Sequence, residues 1–477
     1  MSKTNNKLYK VSGSLVLFLV LCSCKKFVDV NPPVQQLLKN EIYNNSSTAI
    51  GVLNQSFVFM HYMDTWGIGG IPIQTGLLGD ELIYYKPGED VTLTAFYTDN
   101  LNSKDVFSTN VWTQAYQNIF YINDAIEGVG NSSLNQSIKQ QLLGEAKFMR
   151  GLCYFYLVNI YGDVPIVLTT DHTKNSLITR ASQSDVWNII KSDLNDAYNL
   201  LSNSFLNGTL TGTSTDRVRP TKWAAAALLA KVYLYNKNWD LAEEKSNEVI
   251  NNTSLFKLDS LNGVFKKNSI ESILQFQSVN YILNTFYGQY FILPDNSQPS
   301  TLQPTYLSNH LINSFEIGDE RKNKWVGYSY TAIGTYPYAY KYKEYKTINY
   351  TDPITENYVT LRLGEQYLIR AEARVQQNNL SGALTDLNTI RNRANLSGSS
   401  AVTKDQIIDA IDHERQVELF LEQGDRWFDL RRAGKLDSVM QIVAPEKGGT
   451  WSSYKQYYPI EIGELKLNPN LQQNPGY

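Results

Sequence analysis

The chain has 477 residues, 19% of them charged, and a formal net charge of -3. A body of this length can bury a large core, and its slightly acidic balance argues against nucleic acid or other polyanions as ligands. Composition is unusual mainly in its rings: 12% of residues are aromatic, with 32 tyrosines against 18 phenylalanines.

In chain order, Lys3, Lys7 and Lys10 precede an unbroken apolar run from Leu15 to Leu21, which stops at Leu21-Cys22-Ser23-Cys24. The run is too short to span a bilayer, so it reads as a cleaved export signal over residues 1–23. Leucine three places before Cys24, with a small residue immediately before it, is similar to a lipobox, in which the cysteine thiol is acylated and becomes the new N-terminus. Acyl chains such as palmitate hold a protein on a membrane at about 0.8 kcal/mol per buried methylene. Loss of the three leader lysines takes the formal charge to about -6. Besides Cys24, only Cys153 then remains, so the chain has no disulfide framework.

Residues 24–40 read as a tether stiffened by Pro32-Pro33, and a body begins near Glu41. From Leu142, the positions Ala146, Met149, Cys153, Tyr156 and Ile160 continue one apolar helix face, which Gly162 and Pro165 then end. Trp223, Ala227, Ala230 and Leu234 mark another helix; Asn236-Lys237-Asn238 turns the chain, and a returning helix is predicted over about 239–250. A shift of 141 residues repeats the pattern. Ala230 then falls on Ala371, Leu234 on Val375, Ala242 on Ala383 and Val249 on Ile390, with Gln377-Asn378-Asn379 as the second turn. Such helix-turn-helix units with small residues at the crossing resemble tetratricopeptide repeats.

Residues 203–216, 292–305 and 396–404 are rich in loop-forming residues. The stretch 325–345 is dense in tyrosine, and the alternation of Tyr336, Tyr338, Tyr340 and Tyr342 predicts a strand with these rings on one side. The block 412–432 reads as an amphipathic helix, with Arg415–Glu418 and Arg426–Asp429 spaced for ion pairs within it.

Enzyme signatures are missing. His413-Glu414-Arg415-Gln416-Val417 lacks the second histidine of a zinc-binding helix, and Gly67-Ile68-Gly69-Gly70-Ile71-Pro72 has proline where a dinucleotide loop needs its third glycine. No catalytic residue, metal site or cofactor is assigned. A glycosidase needs only two carboxylates across a cleft, and Asp80-Glu81 is the pair to examine first.

Together the lipobox at Cys24, MRGLCYFYLVNIYGDVPIV (149–167), PTKWAAAALLAKVYLYNKNWDLAEE (220–244), ERQVELFLEQGDRWFDLRR (414–432) and YYPIEIGELKLNPNLQQNPGY (457–477) resemble the SusD/RagB family of outer-membrane lipoproteins. The resemblance implies a single mostly α-helical body over 41–477, with an N-terminal family half at about 41–210 and a C-terminal half at about 270–477. Tetratricopeptide-like helix pairs would build it, and long loops and short β-hairpins would carry the ligand face. It also implies a partner, a SusC-like TonB-dependent transporter over which the lipoprotein sits as a hinged lid, and non-catalytic capture of an oligosaccharide or polysaccharide at the cell exterior. Surface display rests on the family alone, because Lys25-Lys26-Phe27-Val28 stand before the first acid, Asp29.

Members that bind glycans use loop aromatics, whose flat rings stack on a pyranose. By chemistry the candidates are Trp66, Tyr84, Tyr85, Trp325, Tyr328 and Tyr330, with Trp325 placed first because Arg321, Lys322, Asn323 and Lys324 argue for an exposed segment. Rings from 66–85 and 281–330 are expected to converge on one face. An exported glycoside hydrolase, a helical-repeat envelope scaffold and a peptide-binding member of the same family remain as alternatives.

Overall fold

A computed structural model of the protein describes residues 39–65, 70–104, 109–279, 283–346, 349 and 351–477. Cys24 and Trp66 lie outside these. Helices dominate: α1 (Ser46–Thr65), α2 (Ile71–Leu78), α3 (Thr109–Gly130), α4 (Gln136–Tyr161), α5 (Gln183–Leu200), α6 (Lys222–Tyr235), α7 (Trp239–Ile250), α8 (Leu363–Gln376), α9 (Leu380–Arg393), α10 (Lys404–Leu419) and α11 (Asp425–Arg432). Six short strands pair antiparallel: β1 (Leu82–Tyr84) with β3 (Thr305–Leu307), β2 (Ser272–Phe276) with β6 (Tyr358–Arg362), and β4 (Val326–Thr331) with β5 (Gly334–Ala339). The fold is thus mostly α, as the sequence predicts.

The apolar face read from Leu142 to Ile160 is buried along its whole length in α4, Cys153 included. Burial also pushes the Cys153 thiol up to about 12, which keeps it an inert core thiol. Gly162 ends the helix at φ 75°, and its N–H still donates to the Val158 carbonyl at 3.0 Å.

The repeat holds down to individual hydrogen bonds. In the first turn Lys237 N–H donates to Leu234 O at 3.0 Å and Asn238 N–H to Tyr233 O at 2.9 Å. In the second, Asn378 N–H donates to Val375 O at 3.1 Å and Asn379 N–H to Arg374 O at 2.9 Å, the same bonds displaced by 141 residues. Lys237 and Asn378 both take positive φ, 57° and 65°, to close these turns. Ala230 and Ala371 are fully buried at the crossings, where a small side chain lets the helices approach. Successive helices from α3 to α9 pack as neighbours, and α7 lies against α8. The two repeats therefore adjoin in space although residues 251–362 intervene in sequence. That insertion carries β2 to β6.

Residues 412–432 depart from the single helix expected. Leu421, Gln423 and Gly424 take positive φ between α10 and α11, so the backbone reverses there. The ion pairs change accordingly: Arg415 meets Asp429 at 2.6 Å across the break, and Arg426 meets Asp80 at 2.6 Å. Glu418 is left to a buried cluster. It binds Arg321 at 2.9 Å, Arg362 at 2.6 Å and also Arg393, while Arg362 reaches Glu271 and Glu422. Burial alone would raise the Glu418 carboxyl, but Arg393, Arg362 and Arg321 together hold it well below the usual carboxylate range. This cluster fastens the insertion to α10.

Candidate functional site: a tyrosine face

Tyr85 directly follows β1, and its N–H donates to Pro304 O at 2.9 Å, extending the β1–β3 ladder by one residue. In that ladder Tyr306 stands opposite Ile83. The β4–β5 hairpin comes alongside through β3 and brings the Tyr336 ring between the other two: its centroid is 5.8 Å from Tyr85 and 5.4 Å from Tyr306, both nearly perpendicular. All three rings are partly open to solvent. The Tyr85 hydroxyl donates to Gln298 Oε1 at 2.7 Å. Residues 294–298 are themselves held on the hairpin, since the Ser329 hydroxyl donates to Ser297 O at 2.6 Å and accepts from Ser297 N–H at 3.0 Å. Paired strands and an anchored loop thus fix the rings, and the half-exposed faces of this cluster can stack on a sugar while neighbouring amides bind hydroxyls.

The hairpin register divides the remaining tyrosines. Tyr328 is opposite Pro337 and Tyr330 opposite Thr335 on one face, whereas Tyr336 and Tyr338 lie on the other. Tyr328 and Tyr330 stack on each other with centroids 6.1 Å apart, and Tyr330 is 63% exposed. The Tyr338 ring covers Gly327, where a Cβ would sit 2.2 Å from Cε2, so only glycine admits that ring. Strand β5 ends at Ala339, so the one-sided row of four tyrosines is corrected to two. Beyond it Tyr342 turns inward, and its hydroxyl accepts from Val359 N–H at 3.0 Å.

Two further candidates are corrected. Trp325 is fully buried: its indole N–H donates to Leu261 O at 2.8 Å, and the ring meets Phe265 edge-on. Its charged neighbours misled because Arg321 is itself buried, bound to Asp319, Glu414 and Glu418. Tyr84 is also buried, and its hydroxyl accepts from Asp90 N–H at 3.0 Å. Of the six ring candidates, then, only Tyr85 joins the cluster; Tyr328 and Tyr330 flank it on the opposite face of the hairpin, and Trp66 lies outside the described residues. Tyr306 and Tyr336 were missed as site residues, although a proline and a threonine within two residues of each mark them as short-strand residues near a turn.

The carboxylate pair Asp80-Glu81 does not line a cleft. Asp80 is buried against Arg426, and Glu81 is buried and accepts from Leu421 N–H at 3.1 Å. Burial, then the Asp80 charge, pushes the Glu81 carboxyl up to about 8. A separate cleft of about 490 Å³ runs between α1 and the end of β2, with Phe57 and Phe276 in its wall and Arg219 bound to Glu145 and Asn54. Among the described residues no cluster of three or more His, Cys, Asp or Glu side chains is arranged to hold a metal ion.

With this geometry, likeness to known proteins becomes informative. A family described as starch-binding, associating with the outer membrane, matches residues 87–234, and the SusD family matches residues 318–477. A SusD-like protein P2 of Formosa agariphila is 24% identical over 99% of this chain and all of that one. The starch-binding protein SusD of Bacteroides thetaiotaomicron is 37% identical over 24% of this chain and 21% of its own length. A solved laminarin-binding SusD-like protein superposes with a TM-score of 0.75 at 22% identity, covering 91% of this chain and all of its own. Two family matches, one reaching into the first repeat and one spanning the second, a relative aligned from end to end and a shared helical fold agree with the sequence blocks: the chain belongs to the SusD/RagB family.

Proposed function

We propose that the protein is a non-catalytic, lipid-anchored binding protein of the outer membrane that captures a glycan on the tyrosine face and delivers it to a SusC-like TonB-dependent transporter. The observation that carries the reading is the convergence of Tyr85, Tyr306 and Tyr336 from three strands onto one partly exposed surface. Relatives described as binding starch and laminarin support it, as does a family description that names the outer membrane. Among the described residues no helix is long and apolar enough to cross a membrane, which agrees with attachment through Cys24 after removal of residues 1–23. On this reading residues 24–40 are the tether, and the body from 41 onward does the binding.

The enclosed state of Asp80 and Glu81 favours capture over hydrolysis. Binding of the detergent-solubilised full chain to laminarin and starch tests it, with Tyr336→Ala expected to weaken affinity at least about tenfold and Phe57→Ala, in the separate cleft, to leave it unchanged. Release of reducing sugar by the protein would overturn the non-catalytic reading. Co-purification of a TonB-dependent barrel from native outer membranes tests delivery.

A further inference from the structure

Arginine is the side chain best shaped for carboxylate and sulfate groups, because its planar fork donates two parallel hydrogen bonds. All fourteen arginines of the chain lie among the described residues, and none is exposed. Each donates to oxygens of its own chain: the carboxylates of Asp193, Glu145, Glu414, Glu422, Asp386, Glu243, Glu316, Glu271, Asp429, Asp80 and Glu372 take most of them, and Arg180, Arg217 and Arg431 bind backbone or amide oxygens.

The side chains hydrogen-bonded beside the rings are neutral. Gln298 takes the Tyr85 hydroxyl, and Gln303 is held by Gln289 O and Ser300. Lys86, next to Tyr85, is neutralised by Glu89 at 2.9 Å. The nearest charged side chain on the loop, Asp295, is acidic and exposed. An anionic polymer laid here would lose part of its hydration and find no guanidinium and no unpaired lysine at Tyr85, whereas a polyol finds ring faces and amides.

We infer that the tyrosine face takes a neutral polyhydroxylated glycan and rejects chains bearing uronate or sulfate groups. This rests on the capture reading above and narrows it to a substrate class. The test is affinity electrophoresis of the detergent-solubilised full chain through gels holding either neutral polysaccharides (α-glucan, β-glucan, mannan, xylan, galactan) or anionic ones (alginate, pectate, chondroitin sulfate). Retardation is expected in at least one neutral gel and in no anionic gel. The Kd for the retained polymer should change less than about twofold between about 50 and 500 mM NaCl, since no ion pairs form, and Tyr336→Ala should raise it at least about tenfold. Retardation by anionic polymers that fades with salt would overturn the neutral assignment and leave glycan capture standing. Neutral binding untouched by Tyr336→Ala and Tyr85→Ala would overturn its placement on this face. Retention in neither set of gels would overturn capture itself, and the narrower claim with it.

Discussion

Trp325 shows what a single side chain can be asked to do. With its indole N–H satisfied by Leu261 O and Lys341 Nζ 5.0 Å over the ring, truncation leaves a cavity beside a buried cation. Trp325→Ala should cost about 3–5 kcal/mol, read by denaturant unfolding. Glu81 offers a pH test. Its folded value, raised to about 8, exceeds that of an unfolded glutamate, so the folded state holds the proton more tightly than the unfolded chain does. Its contribution is therefore fully present below the unfolded value and is lost as pH rises through about 8. Glu81→Gln keeps an acceptor for Leu421 N–H and removes that loss. Its melting temperature should exceed the wild type's at pH 8, by on the order of 2 °C or more, and match it only below the unfolded value, near pH 4.

At the scale of elements the helix pairs make the sharpest claim. Ala230→Leu or Ala371→Leu should overpack a crossing and cost about 1–3 kcal/mol, because both side chains are fully buried. Thermal melts of both variants decide it. These pairs were legible in the sequence because each helix carries its own 3.6-residue period, so Leu368, Ala371 and Val375 announce a buried face without reference to anything distant. The ion pairs were not. Arg426 and Asp80 stand 346 residues apart, and Asp429 seemed to be the partner only because it lies one turn along the helix. The site was legible as a region but not as a set of residues. β1 and β3 are three residues long, too short for an alternation to declare which tyrosine faces out, and the register of β4 with β5 decides the sides of Tyr328 and Tyr336.

For the whole molecule, the proposed lipid attachment through Cys24 is expected to be separable from folding. Cys24→Ser should release the protein from the membrane fraction and abolish labelling by a radioactive fatty acid, while the melting temperature stays that of the wild type. Breaking the buried cluster should do the opposite. Arg362→Met removes the one cation that meets Glu418, Glu271 and Glu422 together, leaving them to Arg393, Arg321 and Lys341, and should cost about 3–5 kcal/mol, with the chain still lipid-labelled.

That cluster also governs how the chain comes apart. Glu271, Arg321, Lys341, Arg362, Arg393, Glu414, Glu418 and Glu422 come from strand, loop and helix segments spread over some 150 residues, and none can leave without exposing a charge to a dry interior. A partly opened intermediate in this half is thereby penalised, so the region behaves as one cooperative block. Limited proteolysis should accordingly show few intermediate cuts between 271 and 422, and amide protons on β6, α8 and α10 should exchange together, at a rate set by global opening.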